Sequence, residues 1–98
     1  MWVKHDEIGQ SRSLWLQDRL PYRVAVTEAV RRHYEPHLPA RYEWCNENIG
    51  EACLRYLLSD PIRYDVPWTN TEGMWTYLHG SFRFHREIDA CAFKLRWC

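Results

Sequence analysis

Histidine and cysteine are the side chains in this 98-residue sequence best suited to chemistry, and their spacing is the first thing to weigh. The histidines are His5, His33, His37, His79 and His85. His33 and His37 are four apart, the spacing of two ligands on one helix face, but Pro36 lies between them and breaks such a helix. No H-E-x-x-H pattern occurs, and Cys45 with Cys53 is too loose a pair to begin a four-ligand zinc site. The sequence therefore predicts no metal and no cofactor. His85 and Glu87 could form an acid–base pair, which would make a small enzyme of this chain. Nothing supplies the matched nucleophile, and Gly9, Gly50, Gly73 and Gly80 are too isolated to form a phosphate-binding loop. A non-enzymatic protein is the better reading, with no catalytic residue assigned.

The cysteines, Cys45, Cys53, Cys91 and Cys98, contain no C-x-x-C pair. No cationic leader with a cleavage site opens the sequence, which predicts a reducing, cytoplasmic setting and free thiols. Cys53 and Cys91 are expected to act as small core hydrophobes. No apolar run is long enough for a membrane helix, so no membrane partner is expected.

Thirteen basic residues balance thirteen acidic ones, and lysine occurs only at Lys4 and Lys94. A neutral chain has no global field to draw nucleic acid. The alternative to a protein partner is nevertheless a nucleic-acid face built from Arg12, Arg19, Arg23, Arg31, Arg32 and Arg41. In it arginines would contact phosphate while Tyr22 or Tyr34 stacked on bases. Asp18, Glu28 and Glu35 dilute that field. The six Trp, six Tyr and three Phe are more informative. Arginine with Trp and Tyr is the mix that dominates protein-binding hot spots. Arg31, Arg32 and Tyr34 form the best cluster. Trp2, Trp15, Trp68 and Trp97 are further anchors, because each lies at an element end or in a connection. The same surface could also pair two copies of the chain as a homodimer.

The elements that must position these residues follow from periodicity. Trp75 and Tyr77, then Phe82 and Phe84, alternate on either side of His79 and Gly80, which predicts a β-hairpin over 74–86. A capped helix from Thr69 to Gly80 is the rival. Ile88, Cys91, Ala92 and Leu95 then recur at helical spacing, which predicts a helix over 88–96 that buries that stripe. Asn48 and Glu51 match a capping box, with Ile49, Ala52, Cys53, Tyr56 and Leu57 as the buried stripe of a helix over 48–59. Val26, Ala29, Val30 and His33 predict a further helix over 22–34, with Pro21 at its start. Residues 1–9 read as a ragged edge strand or an ordered arm, 41–45 as a short strand, and 62–66 as an edge strand bracketed by prolines. Leu14, Trp15 and Leu16 form an apolar cluster that should be buried. The fold class expected is α+β. A small antiparallel sheet with a C-terminal hairpin packs against two or three helices, in one domain spanning 1–98.

The run Ser81-Phe82-Arg83-Phe84, Glu87-Ile88-Asp89-Ala90 and Ala92-Phe93-Lys94-Leu95-Arg96-Trp97 resembles the ending of short, uncharacterised bacteriophage-encoded proteins. The resemblance implies a small phage protein in the host cytoplasm that binds, and often inhibits, a bacterial host or phage protein.

Overall fold

A computed structural model describes residues 1–25, 38–57, 63–64 and 67–97. In chain order these form β1 (Trp2–Lys4), a 3-10 turn (His5–Ile8), α1 (Arg12–Arg19) and β2 (Tyr22–Ala25). There follow α2 (Leu38–Asn48), β3 (Trp68–Asn70), β4 (Trp75–Leu78), β5 (Ser81–Phe84) and α3 (Glu87–Trp97). β1 pairs antiparallel with β3, and β2, β5 and β4 form a three-stranded antiparallel sheet in that order. The fold is a small α+β fold. No helix among the described residues is long and apolar enough to cross a membrane.

The hairpin forms as its alternation predicts. Trp75 pairs with Phe84 and Leu78 with Ser81. The two linking residues, His79 and Gly80, have φ of 52° and 76°. Positive φ at both positions belongs to the turn whose twist matches paired strands. Trp75, Phe82 and Phe84 are fully buried and, with Tyr42, Tyr77 and Phe93, form an aromatic core. Phe93 of α3 lies 4.5 Å from Phe82 and 5.3 Å from Phe84 between ring centroids.

α3 is present, but it turns a different face to the sheet than its aliphatic spacing suggests. Asp89, Ala90 and Phe93 are buried, whereas Ile88 and Leu95 are 70 % and 89 % exposed and Cys91 is exposed too. The ring of Phe93 brings more contact area to the hairpin's aromatics than the aliphatic stripe could. Ala90 permits close approach, and Asp89 can be buried because Arg86 forks onto both its oxygens at 2.9 and 3.1 Å.

Other sequence expectations give way to tertiary pairing. Tyr22–Ala25 is a strand rather than the start of a helix, because Val24 pairs with Phe82 across the sheet; residues 26–34 of the expected helix lie outside the described residues. Residues 41–45 belong to α2, whose Leu38, Tyr42 and Cys45 supply a buried i, i+4, i+7 stripe. Asn48 therefore ends a helix instead of capping one, and its side chain donates back to the Trp44 carbonyl at 2.9 Å. Gly50, at φ 139°, turns the chain out of α2. From there the backbone runs along β4: Met74 N–H donates to the Glu51 carbonyl and Cys53 N–H to the Trp75 carbonyl, both at 2.8 Å. These bonds replace the helix expected over 48–59, so Ile49 is only half-buried and Leu57 is exposed, while Cys53 is buried. The rival helix from Thr69 is replaced by β3 and β4. Of the strand expected over 62–66, Tyr64 bridges to Tyr56; 62, 65 and 66 lie outside the described residues.

α1 turns Leu14 to solvent and Leu16 inward. Ser11 caps it, its hydroxyl accepting from Leu14 N–H at 3.2 Å. Leu16 and Leu20 pack with Cys53 and Leu54 in a second cluster, to which Trp15 and Tyr56 also contribute.

Candidate functional site

The run 51–57 closes the outer edge of β4 and at the same time makes the wall of a groove. Tyr56 is the joint. Its hydroxyl donates to the Tyr77 carbonyl at 2.8 Å, accepts from Tyr77 N–H, and lies 2.8 Å from the Thr76 hydroxyl. One phenol thus satisfies both backbone groups of an edge-strand residue. Burial pushes that phenol well above the ordinary tyrosine range, and the Thr76 and Tyr77 hydrogen bonds offset only part of the shift. It is a structural hydroxyl, neutral at any physiological pH.

The Tyr56 ring stacks on Tyr42 of α2 at 4.5 Å between centroids and lies 5.8 Å from Trp75, inclined by 12°. Trp75 donates its indole N–H to the Gly50 carbonyl at 2.8 Å, which pins the end of α2 to the sheet. Above this stack lies a groove of about 710 Å³, lined by Trp2, Tyr42, Leu54, Tyr56, Leu57 and Trp75, with Glu43, Glu47, Glu51 and Arg55 at its margins. The volume falls in the range of pockets that enclose small ligands or anchor side chains.

The rim is predominantly acidic. Glu43 and Glu47 are exposed and one helical turn apart, an arrangement that costs α2 a few tenths of a kcal/mol. Glu47 also lies in the last turn, which carries no basic residue and where the helix dipole disfavours a carboxylate. Among the described residues neither of these carboxylates has a hydrogen-bond or ion-pair partner. Glu51 accepts from the Asn70 side chain at 3.1 Å, which ties the groove wall to β3. The Arg55 guanidinium lies 5.0 Å from the centre of the Trp2 ring, so one cation already rests on an aromatic face in this groove.

The tryptophans singled out by the sequence do not converge. Trp2 is half-buried and lines the groove. Trp68 is exposed on the neighbouring strand, opposite Lys4. Trp15 packs on the second cluster. Trp97, half-buried at the end of α3, has Arg41 and Arg96 at 5.2 and 4.1 Å from its ring. Arg31, Arg32 and Tyr34 lie outside the described residues. The remaining arginines of the nucleic-acid alternative have local partners. Arg12 lies over Tyr64 at 5.3 Å, Arg19 donates to the Gly73 carbonyl at 3.1 Å, and Arg23 donates to the Ser81 hydroxyl at 2.9 Å. Sequence reasoning missed Tyr42, Glu43, Glu47, Glu51 and Leu57 as groove residues. The signal available was the four-residue spacing of Glu43, Glu47 and Glu51.

His85 and Glu87 do not meet among the described residues. The His85 imidazole Nδ1 lies 2.8 Å from the Arg19 carbonyl and joins α1 to β5. No group of three or more His, Cys, Asp or Glu among the described residues could hold a metal ion. Cys45, Cys53 and Cys91 are free thiols; Cys98 lies outside the described residues. Burial pushes the Cys53 thiol up to about 12, against a smaller opposing pull from Arg19. Cys53 is thus an inert core group, whereas Cys91, expected in the core, is at the surface. No protein-family model, curated protein or solved structure matches the chain.

Proposed function

We propose that this chain is a non-enzymatic protein-interaction module that holds a partner segment in the groove between α2 and residues 51–57. The observation that carries the reading is an aromatic floor beneath two carboxylates, Glu43 and Glu47, which have no partner among the described residues although both disfavour their own helix. Such a groove suits a segment with one apolar anchor flanked by Lys or Arg. The anchor would be desolvated on Tyr42, Tyr56 and Leu57, while the cations would meet the rim and set register and selectivity. The resemblance of residues 81–97 to short bacteriophage-encoded proteins supports a host or phage protein as the partner.

The test is a panel of short peptides with one Trp or Leu between two basic residues, beside acidic versions of the same peptides. Binding is followed by amide and indole NMR shifts. Basic peptides are expected to move the Trp2 and Trp75 indoles and the amides of 52–56, less so as salt rises. Glu43→Lys with Glu47→Lys should abolish the response. Silence at the groove with every peptide, or equal response to the acidic set, would overturn the reading.

A further inference from the structure

We infer that α3 is the contact surface for a second copy of this chain, packed antiparallel across a two-fold axis near Cys91. The inference is independent of the groove, which lies between other elements. α3 buries Asp89, Ala90 and Phe93 and turns Ile88, Cys91 and Leu95 outward, at spacings of three and four residues. That spacing makes one continuous apolar stripe on the side where a surface helix ordinarily carries polar groups. Beside it Arg23, Val24, Ala25, Cys91, Lys94 and Leu95 line a shallow depression of about 620 Å³, so the apolar surface runs on to Val24 and Ala25 of β2, with Arg23 and Lys94 at its border. Among the described residues no strand pairs with the outer edge of β2.

Charge identifies the occupant. Glu87 in the first turn and Lys94 in the last turn are two turns apart, so they border the stripe on the same side. An antiparallel copy brings each Glu87 across to the other copy's Lys94, twice over, and sets the two helix dipoles in opposite directions, each N-terminus beside the other copy's C-terminus. A parallel copy brings neither benefit. A surface whose apolar centre and charged border both complement themselves under one two-fold rotation is the mark of an isologous interface. With only eleven residues in α3 the contact is small, in the size class of weak, transient interfaces.

Sedimentation equilibrium over micromolar to submillimolar concentrations tests this on the whole chain. The average mass should climb toward twice the monomer mass. Leu95→Glu and Ile88→Glu, both at exposed positions, should weaken the association at least tenfold while leaving the circular dichroism spectrum unchanged. Glu87→Lys alone should weaken it, and Glu87→Lys combined with Lys94→Glu should restore it. In a Cys98→Ser chain a short bismaleimide should trap the dimer through Cys91, since Cys45 and Cys53 are buried. A monomer at every concentration overturns the inference. So does a dimer indifferent to Leu95→Glu, or a double charge swap no better than the single one.

Discussion

Gly73→Ala should be among the most damaging single-methyl additions in the described chain. A Cβ built on Gly73 would lie 2.5 Å from both the backbone nitrogen and the Sγ of Cys53, and 2.6 Å from its Cα. Backbone cannot swing aside as a side-chain tip can, so residues 51–54 would have to move off β4. Two bonds bracket the contact: Cys53 N–H to the Trp75 carbonyl and Asn70 N–H to the Cys53 carbonyl, both 2.8 Å. Overpacking of this kind costs about 1–3 kcal/mol, and stretching two hydrogen bonds adds about 1 kcal/mol more. Alanine's stiffer unfolded chain returns about 0.5 kcal/mol. The net expectation is a loss of about 1.5–3.5 kcal/mol, a large share of the 5–15 kcal/mol typical of a domain. Urea unfolding followed by circular dichroism measures it, with Gly9→Ala as the comparator. Gly9 has φ 85° but nothing within 4 Å of the added Cβ. It isolates the left-handed backbone cost of about 1 kcal/mol. If Gly73→Ala lost no more than Gly9→Ala, the tight seating of 51–54 against 70–75 would be refuted.

Tyr56→Phe removes the hydroxyl shared by Thr76 and both backbone groups of Tyr77. It should cost about 2 kcal/mol in the same assay, because buried polar groups lose a partner; a neutral result would show that water replaces the phenol. In the native protein a chromogenic disulfide should react with Cys91, whereas Cys45 and Cys53 should react only on unfolding; modification of Cys53 in the native protein as fast as that of Cys91 would contradict its burial. His5 is held below its ordinary value of 6.5, first by burial and then by the Arg12 charge. Its contribution to stability is therefore complete above about pH 6.5 and is lost as pH falls through the lower folded-state value. Denaturation midpoints of the parent should drop through that window relative to His5→Gln; parallel pH profiles would remove His5 as the cause.

What was legible in the sequence was local. Trp75, Tyr77, Phe82 and Phe84 alternate around a two-residue turn and pair with one another, so the hairpin needs no distant information. α3 was legible as a helix, but its buried face was decided by the rings of Phe82 and Phe84, which the helix's own periodicity does not contain. Ala52, Cys53, Tyr56 and Leu57 fit helical spacing, yet the backbone there bonds to residues 70–77. α2 was hidden because Pro36 and Pro39 read as a connection and Tyr42 with Trp44 as alternation. The groove is built from those two regions, so neither its walls nor its carboxylate rim could be placed from the sequence alone. Trp2 was singled out because it is an aromatic at an element end, and that reasoning did find a groove residue.

The strand order also dictates a sequence of events during folding. The hairpin closes over two residues, an event on the order of 1–10 μs. β1 and β2, in contrast, must find β3 and β5 across loops of more than forty residues, with the closure entropy that entails. A nascent chain that has reached residue 60 has made the N-terminal strands but none of their ladder partners, which all begin at Trp68 or later. Until synthesis passes the hairpin, β1 and β2 have no strand to pair with. β1 and β2 should therefore gain protection from hydrogen exchange only after the β4–β5 hairpin does.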